Sequence, residues 1–115
     1  KAREAGASDV WLTARGNMMG YNNLVVDFRN IQDMLDIVPT VIMDCTHSVQ
    51  RPGGSDGKTG GDRCFVPMMA LAAKAFGATG YFMEVHPEPD RGLSDAANML
   101  ELDNLEGLVM KLIED

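Results

Sequence analysis

Three short runs, residues 10–15 (VWLTAR), 40–47 (TVIMDCTH) and 80–86 (GYFMEVH), are apolar through their first part and turn polar only at their C-terminal ends. Near-continuous apolarity suits strands of a parallel sheet covered on both faces, not a half-exposed antiparallel one. A helical pattern follows each run. Residues 28–37 place Ile31, Met34 and Leu35 on one side, and residues 65–76 carry Pro67 near their start and end at Gly77. Leu105, Leu108, Val109, Leu112 and Ile113 follow the stripe of an amphipathic helix, and Asp103 with Glu106 predicts a capping box at its start. The order βαβαβα implies an α/β fold with parallel strands and right-handed crossovers.

With 115 residues the chain holds one domain at most. Three units alone leave both sheet edges open, which native folds avoid, whereas closing the sheet as a (β/α)8 barrel takes about 250 residues. The chain opens at Lys1 without Met and stops at Asp115 inside a helical pattern. Residues 1–115 are therefore expected to be the last three βα units of a (β/α)8 TIM barrel, cut from something longer, in preference to a complete small doubly wound fold. A net charge of −7 weighs against a nucleic-acid or anionic-membrane partner. No apolar run reaches the roughly 18 residues of a spanning helix. Two cysteines nineteen apart, with no CxxC spacing, fit a reducing cytoplasm.

Two connections exceed a minimal βα turn. Residues 16–27 separate the first strand from its helix, and residues 48–62 hold five of the twelve glycines. Loops of this length at the C-terminal ends of parallel strands are where α/β folds carry chemistry. Gly57-Lys58-Thr59 ends like a phosphate-binding P-loop, but Pro52 stands where the first glycine belongs and has no N–H to offer. A glycine-hinged lid over a substrate is the better expectation.

Polar residues at the strand ends are the candidates for chemistry. Arg15 closes the first strand, His47 the second, and Glu84 with His86 the third, while Asp95 lies in the loop before the last helix. Each has a plain structural reading: a surface ion pair for Arg15, a satisfied core histidine for His47, a turn residue for Asp95. Glu84 resists one, because a carboxylate in an apolar strand is costly to bury unpaired. A cation, an imidazole and two carboxylates on one rim suggest either a divalent-metal site or an anion-handling acid–base site. Cys45, two residues before His47, shares its side of the strand and could be a ligand or nucleophile, but reads better as an apolar filler. Nothing supports a reactive thiol at Cys64. The nine methionines read as core gap-fillers.

The segments Thr13-Ala14-Arg15-Gly16, Gly20-Tyr21-Asn22-Asn23-Leu24-Val25-Val26-Asp27, Asp44-Cys45-Thr46-His47-Ser48-Val49-Gln50, Met83-Glu84-Val85-His86-Pro87 and Ser94-Asp95 together resemble the 3-deoxy-D-manno-octulosonate 8-phosphate synthases. The resemblance runs from about residue 10 onward. It implies strands six to eight of a (β/α)8 barrel, and condensation of phosphoenolpyruvate with D-arabinose 5-phosphate and water for lipopolysaccharide synthesis. By the same resemblance Arg15 grips phosphoenolpyruvate, as a planar guanidinium fork suits, and Asn22, Gln50 and Arg63 fall among the substrate-binding positions. His47, Glu84 and Asp95 are both the catalytic set and the metal ligands, and residues 50–63 form a mobile lid. A divalent metal (Zn, Fe or Mn) is implied for one class of the family and none for the other. Ser94-Asp95-Ala96, in place of Cys-Asp-Gly-Pro, leans towards the metal-dependent class. A cytoplasmic homotetramer is the implied assembly. Because the family's upstream lysine and Asn-Arg-Ser segment are absent, this chain alone is expected not to catalyse.

Overall fold

A computed structural model describes residues 1–20, 22–55 and 58–115. Its centre is a three-stranded parallel sheet of β1 (Leu12–Ala14), β4 (Val41–Asp44) and β7 (Gly80–Phe82), with β4 in the middle. Leu12 pairs with Val41, and Ile42 with Gly80. Hairpin strands β2 (Asn17–Met18) and β3 (Leu24–Val25) lie between β1 and helix α1 (Arg29–Leu35). A second antiparallel pair, β5 (Gln50–Ser55) and β6 (Lys58–Gly61), follows β4 and leads to helix α2 (Val66–Ala75). Beyond β7, β8 (Val85–His86) pairs in parallel with β9 (Leu100–Glu101), and helix α3 (Leu105–Ile113) ends the fold.

Burial explains the sheet. Val41 and Met43 of β4 are fully buried in one cluster with Ile31 of α1 and Val66, Ala70 and Ala73 of α2. Each of the larger side chains contributes about 1.5–3 kcal/mol by leaving water. Alanines on α2 let the helix lie close, and Pro67 starts it at no hydrogen-bonding cost. Gly77 ends it at φ +94°, a left-handed conformation that a side chain would strain, with the ends of Gln32 and Leu35 close by.

The structure corrects several expectations. The strand expected over 40–47 stops at Asp44, whose Oδ1 accepts the backbone N–H of Thr46 and of His47 and so turns the chain out of the sheet. Residues His47–Val49 form a 3-10 turn, so strand alternation does not relate Cys45 to His47. The run 80–86 breaks after Phe82, and His86 lands in the β8–β9 pair, its Nδ1 accepting the N–H of Glu88. Both long connections, expected as loops, contain hairpin strands. Tyr21, Asp56 and Gly57 lie outside the described residues, so that part of the expected lid and of the Gly57-Lys58-Thr59 turn does too. The capping box does not form: Leu102–Asn104 is a 3-10 turn running straight into α3, and Asn104 caps it without a side-chain bond. Among the stripe residues of α3 only Leu108 is fully buried, and Ile113 is largely exposed. Met43 fills the core, whereas Met18, Met19, Met68 and Met110 lie exposed.

Candidate functional site

The C-terminal ends of the parallel strands gather the expected residues. Asp44, at the end of β4, receives the His47 ring: Nδ1 lies 2.8 Å from Asp44 Oδ2. An Nδ1–H donated to that carboxylate leaves the Nε2 lone pair facing outward. Nε2 stands 3.4 Å from Asp95 Oδ2 and 3.7 Å from Glu84 Oε1. Glu84 is carried there by the break after β7, where its backbone N–H donates to Thr46 Oγ1 at 2.7 Å. Asp95 sits at φ +50°, a left-handed conformation costing a non-glycine residue about 1–2 kcal/mol, and its carbonyl accepts the N–H groups of Asn98 and Met99.

Two carboxylates and an imidazole lone pair facing one another repel unless a cation lies between them. The ligand atoms of His47, Glu84 and Asp95 all lie within 4.8 Å of one another, and the side chains are about three-quarters buried. Tetrahedral ligands held 2.0–2.2 Å from a zinc-like ion stand roughly 3.4 Å apart, so this donor set fits a divalent cation. The Asp44 carboxylate behind the imidazole matches the usual orienting partner of a metal-bound histidine.

Arg15 follows β1, and its Nη2 donates to Gln50 Oε1 at 3.2 Å; Gln50 Nε2 donates to Asp95 Oδ1 at 2.9 Å. Among the described residues the Arg15 guanidinium has no carboxylate partner within salt-bridge range. The structure thus joins Arg15, His47, Gln50, Glu84 and Asp95. It does not bring in Arg63, which binds Asp90 and the carbonyl of Ala96, nor Asn22, an exposed bend residue at φ +62°. A cleft of about 360 Å³ between the two hairpins, lined by Val26, Ser48, Phe65 and Met69, meets the cluster only through Gln50. The chemistry therefore belongs to the cluster, not the cleft.

Cys45 is fully buried, and burial pushes its thiol up to about 12, as suits a core filler and not a nucleophile. Asp44 and Thr46 escaped the sequence reading as site-builders. The signal available was a carboxylate three residues before His47 in an otherwise apolar strand.

Parallel βα units with ligand-type side chains converging at the strand ends define a class: a piece of a (β/α)8 barrel bearing a candidate cation site. The phospho-2-dehydro-3-deoxyheptonate aldolase (DAHP synthase) of Thermotoga maritima shares this fold at TM-score 0.76 and 24% identity, covering 96% of this chain and 30% of that one. A truncated 3-deoxy-D-arabino-heptulosonate 7-phosphate synthase from Thermotoga maritima matches at TM-score 0.74 and 24% identity, covering 96% and 39%. The DAHP synthetase I family pattern matches residues 1–115, and the chain belongs to that family. It is 50% identical over 112 residues to the 2-dehydro-3-deoxyphosphooctonate aldolase of Rickettsia bellii (strain OSU 85-389), covering 97% of this chain and 41% of that relative. Identity to the protein of that name from Desulfatibacillum aliphaticivorans is 48% over 113 residues, covering 98% and 41%. The chain thus spans about two fifths of the length of these relatives.

Proposed function

We propose that the protein to which this chain belongs is a 3-deoxy-D-manno-octulosonate 8-phosphate synthase, and that residues 1–115 are strands six to eight of its barrel. The observation that carries this reading is one rim holding both a three-ligand cation cluster and an arginine with no carboxylate partner among the described residues. Arg15 grips the anionic groups of phosphoenolpyruvate through a planar fork of donors. His47, Glu84 and Asp95 hold a divalent ion of the zinc, manganese or iron kind, and Asp44 keeps the His47 lone pair turned towards it. When bound, that ion polarises a carbonyl or water oxygen and offsets developing charge. The methylene carbon of phosphoenolpyruvate bonds to the aldehyde carbon of D-arabinose 5-phosphate, and water adds at C2 and gives up a proton while the aldehyde oxygen takes one. The carbon–oxygen bond to phosphate breaks as the C2 hydroxyl proton leaves to form the keto group. Asn22 and Arg63 belong to the sugar-phosphate side, where Arg63 exchanges Asp90 for the substrate phosphate. The reading carries with it a cytoplasmic homotetramer, which sedimentation of the purified protein checks.

A second reading is a synthase of the DAHP type, favoured by the names of the two structural neighbours and of the family. Full-length protein is assayed for phosphate release with phosphoenolpyruvate plus D-arabinose 5-phosphate, erythrose 4-phosphate or N-acetylmannosamine. We expect turnover with the first; preference for either other sugar overturns the substrate assignment. Chelation is expected to remove activity, and zinc, manganese or iron to restore it. Full activity in EDTA overturns the ligand assignment.

A further inference from the structure

Gln50 lies between the two halves of the site, and its chemistry suits both. It is 9% exposed, with Oε1 accepting from Arg15 Nη2 and Nε2 donating to Asp95 Oδ1. A carboxamide is the side chain that presents an acceptor to a guanidinium and a donor to a carboxylate at once. Its two partners also fix which way round the amide sits, since the flipped orientation sets N–H against N–H and oxygen against oxygen. At one end the bond occupies Asp95 Oδ1 and leaves Oδ2 facing His47 Nε2. At the other it occupies one guanidinium N–H, and among the described residues the other donors have no hydrogen-bond partner.

A charged link would defeat both ends. A carboxylate at position 50 would neutralise Arg15 and repel Asp95, and a direct Arg15–Asp95 ion pair would cancel the charges that an anion and a cation each need. We infer that Gln50 is a positioning residue, a neutral strut holding the anion-binding arginine and the cation-binding aspartate at fixed spacing. This deepens the reading above and rests on it: phosphoenolpyruvate and the divalent ion bind in register because one amide aims both groups.

The test uses full-length protein, cobalt(II) followed by its visible absorption, and phosphoenolpyruvate followed by calorimetry. Gln50→Ala is expected to weaken cobalt(II) binding by roughly ten- to a hundredfold, as loss of outer partners of a metal ligand does, and to alter the absorption bands. The same variant is expected to weaken phosphoenolpyruvate binding about tenfold, since Arg15 loses the hydrogen bond that aims it. Gln50→Glu keeps the side-chain volume and decides the matter if the alanine variant melts early; its phosphoenolpyruvate affinity is expected to fall at least as far. Unchanged affinity for either ligand in Gln50→Ala, or for phosphoenolpyruvate in Gln50→Glu, overturns the strut while parent protein that binds both keeps the underlying reading intact. Parent protein that binds neither ligand overturns both.

Discussion

Two sets of charged side chains occupy the rims of this fold, and they differ in balance and in depth. The inner set, Asp44, Glu84, Asp95, Arg15 and His47, holds three carboxylates against one guanidinium, a formal −2 with His47 neutral, and its acidic side chains are at most a quarter exposed. The outer set is paired one to one: Arg29 with Asp27, Arg51 with Asp62 and Arg63 with Asp90, a formal zero. Exposed, matched pairs contribute little, because water and salt screen them. Mostly buried, unmatched carboxylates cost stability unless something positive joins them. Charge balance together with depth separates the two sets and marks the inner one as the candidate ligand site.

The strongest way to break this contrast is to remove one inner carboxylate. Glu84→Ala in the full-length protein is expected to weaken divalent-cation binding by more than about a hundredfold, beyond what loss of an orienting partner does. The same change is expected to raise the melting temperature of the metal-free protein, because it relieves repulsion between Glu84 and Asp95. Calorimetric titration and a thermal melt in chelator read the two effects. Parent-like cation affinity would place the inner set with the outer one.

Asp44→Asn tests the support behind the ligands. The shape is kept, but the charge opposite Nδ1 is lost, so cation affinity is expected to fall by roughly ten- to a hundredfold with little change in the melt. Backbone packing is tested at Gly61, where a Cβ would lie 1.3 Å from Oδ1 of the buried Asn98. Asn98 ends the turn whose carbonyl bonds fix Asp95. Gly61→Ala is therefore expected to cost about 1–3 kcal/mol in denaturant unfolding and to loosen cation binding as well.

Much of the fold and part of the site were legible in the sequence. Unbroken apolarity over Val41, Ile42 and Met43 marked a two-sided strand, and polar residues after such strands marked the rim, which is why His47, Glu84 and Asp95 were found together. The hairpins were hidden because Gln50–Ser55 and Lys58–Gly61 are rich in glycine and carry a proline; backbone pairing, not propensity, makes them strands. His86 was misplaced because the chain breaks after Phe82 and starts a separate pair with Leu100 and Glu101. The contacts of Gln50 span 35 and 45 residues, and no local pattern encodes such a meeting.

The smallest expected effect lies in the outer set, at Asp27. Arg29 donates its backbone N–H and its Nε to Asp27 Oδ1, and Nη2 to Oδ2 at 2.7 Å, at the start of α1. These bonds hold the Asp27 carboxyl below its ordinary range. A carboxyl whose folded pKa is depressed stabilises the fold above its unfolded pKa, about 3.9, and loses that contribution as pH falls through the lower folded value. Asp27→Asn is therefore expected to melt slightly below the parent at pH 6, with the gap closing as pH drops below 4. Because the pair is solvent-exposed, high salt is expected to shrink the gap at pH 6 too. A gap that persists at pH 2.5, or that salt leaves untouched, would show that Asp27 acts through helix-start geometry and not through charge. That result would remove this pair from the outer set and leave the contrast resting on Arg51–Asp62 and Arg63–Asp90.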